Sequence, residues 1–115
     1  MPSVFVIGQD WTLRAAVRAE LRELGVEALG FASVADALDA RASQPAPEAV
    51  VLDVTSAEAD PAAVAAVTRG SLLLVVASGT GTALGSIKPD LLLKKPVRVA
   101  EIVAAVRQLM EGRPA

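Results

Sequence analysis

Several residue types are missing or scarce in this chain of 115 residues, and each absence removes a class of function. Cysteine is absent, so no disulfide framework exists. Histidine is absent too, and the two losses together remove the usual zinc ligands, the thiol nucleophile and the general base that works near neutral pH. Tyrosine is also missing, and aromatic residues make up only 3% of the chain. The composition therefore argues against an enzyme.

Long apolar runs and a strong net charge are missing as well. Hydrophobic residues make up 53% of the chain but occur as short runs, none of which is long enough to cross a bilayer. A balance of 11 basic and 13 acidic residues gives a formal charge of -2, which argues against binding to nucleic acid or to an anionic membrane. The N-terminus lacks the pattern of a secretory signal. We expect a cytoplasmic protein with a single domain over residues 1–115.

Five apolar runs alternate with five connecting segments, which is typical of βαβ units that form a parallel sheet. The first connecting segment is the clearest helix, because its apolar residues recur at helical spacing. Asp10 or Thr12 can cap its start, and Gly25 can supply the left-handed residue that ends it. The predicted strands cover residues 3–9, 26–31, 49–53, 71–77 and 91–94.

The other connections differ in how strongly they predict a helix. Ser33 marks the start of the second helix, Asp60 followed by Pro61 marks the third, and the last runs from about residue 98 to 110. Residues 78–89 contain three glycines, each of which costs a helix interior roughly 1 kcal/mol relative to alanine. We therefore expect a shortened or irregular fourth helix, or a loop, in this segment.

Two ionisable residues follow apolar runs that are predicted to be parallel strands of one sheet. Asp53 ends the run Val50-Val51-Leu52, and Lys95 with Pro96 comes just after Leu91-Leu92-Leu93. Open α/β sheets place their sites at the carboxyl ends of strands, so this carboxylate and this ammonium should emerge together. With no further charge beside them, they are expected to form an ion pair.

This order of elements, with Asp53 at one strand end and Lys95-Pro96 at another, resembles the receiver domain of two-component response regulators. The resemblance covers nearly the whole chain. It implies a flavodoxin-like three-layer α/β/α sandwich with a parallel five-stranded sheet in the order 2-1-3-4-5. It also implies that a histidine kinase donates a phosphoryl group to the position of Asp53, with acids holding Mg²⁺ and with the lysine and a hydroxyl holding the phosphoryl oxygens.

Three acidic-pocket positions depart from the family pattern. The acidic pair that should end the first strand falls on Gly8 and Gln9, which carry no charge, so metal binding should be poor. Asp10 lies one position late, and we expect it to cap the first helix.

The switch positions depart from the pattern too. The switch hydroxyl falls on Ala77, with Ser78 next to it, and the switch aromatic falls on Leu92. Lys94 should point away from Lys95 into solvent, because side chains alternate along a strand.

The first helix carries an arginine row, Arg14, Arg18 and Arg22, with Trp11 close to the same face. Like charges at this spacing slightly destabilise a helix, so the row is a candidate docking surface for an acidic partner. The alternative interpretation is a solvated basic face with extended arginine side chains.

We therefore expect an atypical, stand-alone receiver-like domain that acts through protein contacts, with no cofactor and no metal. The partner would be a histidine kinase or another signalling protein, and a homodimer is a further alternative. One alternative is a working single-domain response regulator phosphorylated on Asp53, in which Asp10 or Gln9 helps to hold Mg²⁺. Another is a flavodoxin-like module that binds a small ligand or anion through the loop from Gly79 to Gly85.

Overall fold

The computed structural model describes residues 2–54, 60–77 and 87–112. Its strands and helices alternate along the chain, as the apolar runs predict. The strands are β1 (Ser3–Ile7), β2 (Glu27–Phe31), β3 (Ala49–Val54), β4 (Leu72–Ala77) and β5 (Leu91–Lys94). The helices are α1 (Trp11–Glu23), α2 (Val34–Arg41), α3 (Pro61–Val67) and α4 (Val99–Glu111).

The strands form one parallel sheet in the order β2-β1-β3-β4-β5, which confirms the predicted topology. β3 lies at the centre, with Val51 opposite Val6 on β1 and Leu74 on β4. β2 and β5 are the edge strands. Each strand boundary lies within two residues of its prediction, because the apolar runs and the turn residues agree.

Alternation of side chains along the strands divides the core into two layers. The layer under α1 and α4 contains Val4, Val6, Val17, Leu21, Val26, Ala28, Ala49, Val51, Leu74, Val76, Ile102, Val103, Ala105 and Val106. The layer under α2 and α3 contains Phe5, Ile7, Ala37, Val50, Leu52, Val54, Val64, Val67, Leu73, Val75 and Ala77. The described chain is thus a three-layer α/β/α sandwich, as predicted.

Short polar side chains start the first three helices. Asp10 Oδ1 accepts hydrogen bonds from the backbone N–H groups of Thr12 and Leu13, at 3.1 and 3.2 Å. Ser33 and Asp60 cap α2 and α3 in the same way. These contacts satisfy donors that a helix leaves free at its first turn, and they confirm the predicted capping role of Asp10.

Gly25 ends α1 with φ of +82°, a left-handed conformation that favours glycine. Our prediction of a shortened or irregular fourth helix falls mainly on residues 78–86, which lie outside the described residues. Residues 87–89 form neither helix nor strand. Within the described ranges, no helix combines the length and apolar character needed to cross a bilayer.

Candidate functional site

Asp53 and Lys95 meet at the carboxyl ends of β3 and β5. Lys95 Nζ lies 2.8 Å from Asp53 Oδ1, so the ion pair expected from the sequence is present. Asp53 shares its face of β3 with Val51 and therefore points toward α1 and α4. The backbone N–H of Lys95 donates to Ala77 O at 2.9 Å, which extends the pairing of β4 with β5 and holds the lysine beside the carboxylate. The Lys95–Pro96 peptide bond is cis.

The carboxylate of Asp53 is deeply placed and sparsely bonded. Its side chain is 8% exposed, whereas that of Lys95 is 25% exposed. Neither carboxylate oxygen has an aligned hydrogen bond from another described residue, so the contact with Lys95 rests on charge and proximity. A buried carboxylate with so few donors depends heavily on its one cation, because a polar group taken out of water must be compensated.

Gly8 lies directly against Asp53. A Cβ atom built on Gly8 would be 2.9 Å from Asp53 Cβ, closer than Cβ atoms pack, and 3.4 Å from Asp53 Oδ2, an ordinary contact. The backbone of Gly8 is also held from two sides, since its N–H donates to Phe31 O at 3.0 Å and its carbonyl accepts from Arg14 Nη1 at 2.5 Å. The position where the family pattern places an acid therefore has no room for a side chain.

A small recess opens beside Asp53 and Gly8. Arg14 and Asp10 line its rim, and its remaining walls are apolar, formed by Val6, Ile7, Leu13, Val17, Val51, Val76 and Ile102. The apolar walls donate no hydrogen bonds to Asp53 Oδ2, and the Nη1 of Arg14 donates to Gly8 O instead.

The site does not suit Mg²⁺, the ion that the receiver resemblance implies. Gln9 and Asp10 are exposed, and Asp10 already accepts hydrogen bonds from α1. In the ranges that the structure describes, no three acidic, histidine or cysteine residues come together in a way that could hold a metal. Mg²⁺ binds through several oxygen ligands in near-octahedral geometry. The one other described acid that lines this recess is Asp10, whose Oδ1 caps α1.

The switch positions that the structure describes lie apart from Asp53. Ala77 is buried in the core layer under α2 and α3, on the face of the sheet opposite Asp53. Strand alternation, counted from the apolar residues of β4, would have revealed this placement. Leu92 is 42% exposed, and its register partner Val75 belongs to the same α2 and α3 layer. Lys94 is exposed, and Ser78 lies outside the described residues.

The arginine row lies against the backbone of the sheet. Arg18 Nε donates to Ala28 O at 3.2 Å and Arg22 Nη2 donates to the same oxygen at 3.4 Å. The row is thus neither an unattached basic face nor a set of paired charges. Trp11, one turn before Arg14, is 68% exposed.

Gly30 was not singled out by the sequence pattern, although it faces the arginine row. A Cβ atom on Gly30 would lie 2.8 Å from Arg18 Cδ and 3.2 Å from both Arg14 Cγ and Cδ. The lack of a side chain at Gly30 therefore lets the two arginine stems lie on β2. A glycine inside a predicted strand was the available signal, because it often marks a close approach.

The sheet order, the two helical layers and a carboxylate-lysine pair at the strand ends define the receiver fold, a flavodoxin-like architecture. No protein-family model matches the chain, and no curated protein matches it.

Solved receiver structures match over nearly its full length. A response regulator from Thermotoga maritima has a TM-score of 0.80 and 14% identity, over 97% of this chain and 99% of that one. A response regulator receiver protein from Sinorhizobium medicae WSM419 has a TM-score of 0.79 and 19% identity, over 98% and 97%. The BeF3-activated DrrB receiver domain has a TM-score of 0.77 and 18% identity, over 96% and 98%.

Proposed function

We propose that this chain has the signalling role in two-component systems that its receiver fold suggests, and that it performs this role through protein contacts, without a Mg²⁺-dependent phosphorylation cycle. The observation that carries the proposal is the packing of Asp53 against Gly8, where the family pattern has an acid, with Lys95 as its cation. The chain would then present one conformation to its partner instead of switching between two.

Charge at the site supports this proposal. Asp53 and Lys95 together are close to neutral, so the resting pair is already compensated. Phosphorylation would add negative charge beside an apolar recess, and one lysine is the only described cation in contact with the carboxylate. Stabilising a phosphoryl group takes several positive charges or donors placed around its oxygens. The described residues supply too few of them.

The proposed partner is a histidine kinase or another signalling protein in the cytoplasm. No catalytic role is proposed for any residue of the site, because the Lys95 ammonium and the Asp53 carboxylate are held in an ion pair with each other at 2.8 Å. The loop from Gly79 to Gly85, which could bind an anion, lies outside the described residues.

Incubation with acetyl phosphate and Mg²⁺, followed by intact-mass measurement, tests the proposal. We expect no phosphoryl mass increase on the parent chain, and the same result for Asp53→Asn. The DrrB receiver domain, whose solved structure is BeF3-activated, is treated in parallel and controls for the activity of the reagent. A mass increase that appears on the parent chain and disappears in Asp53→Asn would establish the alternative function, a working phosphoreceiver. The alternative is tested because the close contact of Asp53 with Lys95 also fits a working phosphoreceiver.

A further inference from the structure

β2 is an edge strand of the described sheet, so its outward backbone groups have no strand partner, although Ala28 itself is 0% exposed. Glu27 N–H donates to Pro2 O at 2.9 Å, and Gly8 N–H donates to Phe31 O at 3.0 Å. In a parallel ladder, alternate residues direct both backbone groups to the same side. The odd-numbered residues of β2 therefore face β1, and the backbone groups of Ala28 and Gly30 face outward.

The arginine row covers this edge from above. Arg18 and Arg22 both donate to Ala28 O, the outward carbonyl, and the stems of Arg14 and Arg18 lie over Gly30. Each guanidinium has five N–H donors in a planar fork, and each uses one of them in these contacts. Most of the donors on this edge are thus available to another molecule.

The row is also short of negative charge. None of its three arginines forms an ion pair with another described residue. Burial, and then the charges of Arg22 and Arg14, lower the pKa of Arg18 below its usual value. Three cations that repel one another, held over an edge strand, favour an anionic neighbour.

We propose that the β2 edge binds an extended acidic segment of a partner protein, which adds to the sheet as a further strand and places its carboxylates on the arginine row. The proposal deepens the protein-contact function above and rests on it for the role of the partner. Successive arginines of the row are about 6 Å apart along the helix axis. Acidic residues at alternate positions of a strand are about 6.6 Å apart, so the two spacings agree.

The other side of the added strand would meet apolar surface. Leu29 and Phe31 point to the α2 side of β2 and are only half-buried. The segment that fits best therefore alternates acidic residues, facing the arginine row, with apolar residues, facing Leu29 and Phe31. This alternation favours a peptide over a nucleic acid, whose charged backbone has no apolar side of this kind.

Binding exchanges one set of hydrogen bonds for another. A carboxylate of the segment replaces Ala28 O as the acceptor for Arg18 and Arg22, and charge-assisted hydrogen bonds are the stronger kind. Ala28 O is then free to accept from the backbone of the added strand. The arginines keep the edge covered until an acidic strand arrives, which also protects it from unspecific strand pairing.

Fluorescence anisotropy with a short labelled peptide of alternating glutamate and valine tests the proposal. We expect saturable binding that weakens as salt is raised, and binding about tenfold weaker for the double variant Arg18→Gln/Arg22→Gln. The matched control Arg69→Gln/Arg107→Gln removes two exposed arginines elsewhere and should bind as the parent does. Peptides of alternating glutamine and valine, or lysine and valine, should bind weakly to the parent chain, and this comparison holds even if the double variant fails to fold.

Hydrogen exchange at individual backbone amides gives a second measurement. Charge attraction without strand pairing would leave these exchange rates unchanged. Bound peptide should slow exchange of the Ala28 and Gly30 amides by about tenfold or more. The Leu29 amide should change little, because its N–H already points to β1. Equal binding of all three peptides, equally tight binding of a single-stranded oligonucleotide, or self-association of the chain through β2 would each overturn the proposal. These results are independent of the mass measurement on Asp53, so the two proposals fail separately.

Discussion

The two charged regions of this molecule differ in how their charges are balanced. At the strand ends, one carboxylate and one ammonium of opposite sign meet in a pocket where the carboxylate is 8% exposed. At the β2 edge, three cations of the same sign lie side by side and use backbone carbonyls as partners. The two charges of the first region balance each other, whereas the second region keeps a net positive charge. Sites with an uncompensated charge are the ones that gain most from a partner, so we place recognition at the edge and a structural role at the pair.

Gly8→Asp should produce the largest effect, because it inserts a side chain and a like charge against Asp53. We expect a loss of about 3 kcal/mol in the free energy of unfolding. Gly8→Ala separates the steric part from the charge. Urea unfolding with and without Mg²⁺ measures both variants, and Gly112→Ala is the control, since a Cβ at Gly112 meets only ordinary contacts at 3.4 Å or more. Stabilisation of the parent chain itself by Mg²⁺ would contradict the proposal that it has no metal site.

Lys95→Met should destabilise the chain by about 2 kcal/mol, because it leaves the Asp53 carboxylate buried without a cation. The estimate is reduced from that for a fully buried pair, since Lys95 is 25% exposed. Lys94→Met, at the adjacent exposed position, should change the free energy of unfolding by less than about 0.5 kcal/mol. Equal effects of the two variants would show that the ion pair contributes nothing.

Gly30→Ala examines the other region and should cost about 1 kcal/mol, because the new Cβ pushes against Arg18 Cδ. A flexible arginine stem can move aside, which keeps the cost below that at Gly8. In an Arg18→Ala background the closest obstacle is gone, and the cost should fall, although the contacts at 3.2 Å with the Arg14 stem remain. A double-mutant cycle from urea unfolding measures this coupling. Additive effects would mean that the stem does not lie on Gly30.

The smallest effect concerns repulsion within the arginine row. A lowered pKa means that the folded chain holds the Arg18 proton less tightly than the unfolded chain does. The charge therefore disfavours folding below the lowered pKa, and the penalty is relieved only as the pH rises through it, in the alkaline range. Near neutral pH, salt should raise the Tm of the parent chain more than that of Arg22→Gln, because salt screens repulsion that the variant lacks. An identical salt response would argue against repulsion within the row.

Local sequence signals predicted the architecture well because each of them acts over a few residues. Apolar runs located the strands, and Asp10, Ser33 and Asp60 located the helix starts. The meeting of Asp53 with Lys95 also followed from sequence, since parallel strands bring their carboxyl ends to one edge. The assignment of Ala77 to the switch position was weaker, because it rested on alignment to a family pattern instead of on alternation within β4.

Contacts between elements were the part that sequence reasoning did not reach. The arginine row was visible as a spacing on α1, but its acceptors are backbone carbonyls of Gly8 and Ala28, and a carbonyl leaves no trace in a residue pattern. The sequence alone does not show that arginine stems of α1 pack against Gly30. Such contacts depend on how a helix sits on a sheet, to within a fraction of an ångström.

By itself, the sequence determined a parallel α/β domain with a carboxylate and an ammonium at its strand ends, because periodicity, capping and chain direction are local properties. Only the tertiary structure decided that Asp53 fills the space beside Gly8 and that the arginine row covers the β2 edge. Both depend on distances between residues far apart in the chain, which packing sets and local composition does not.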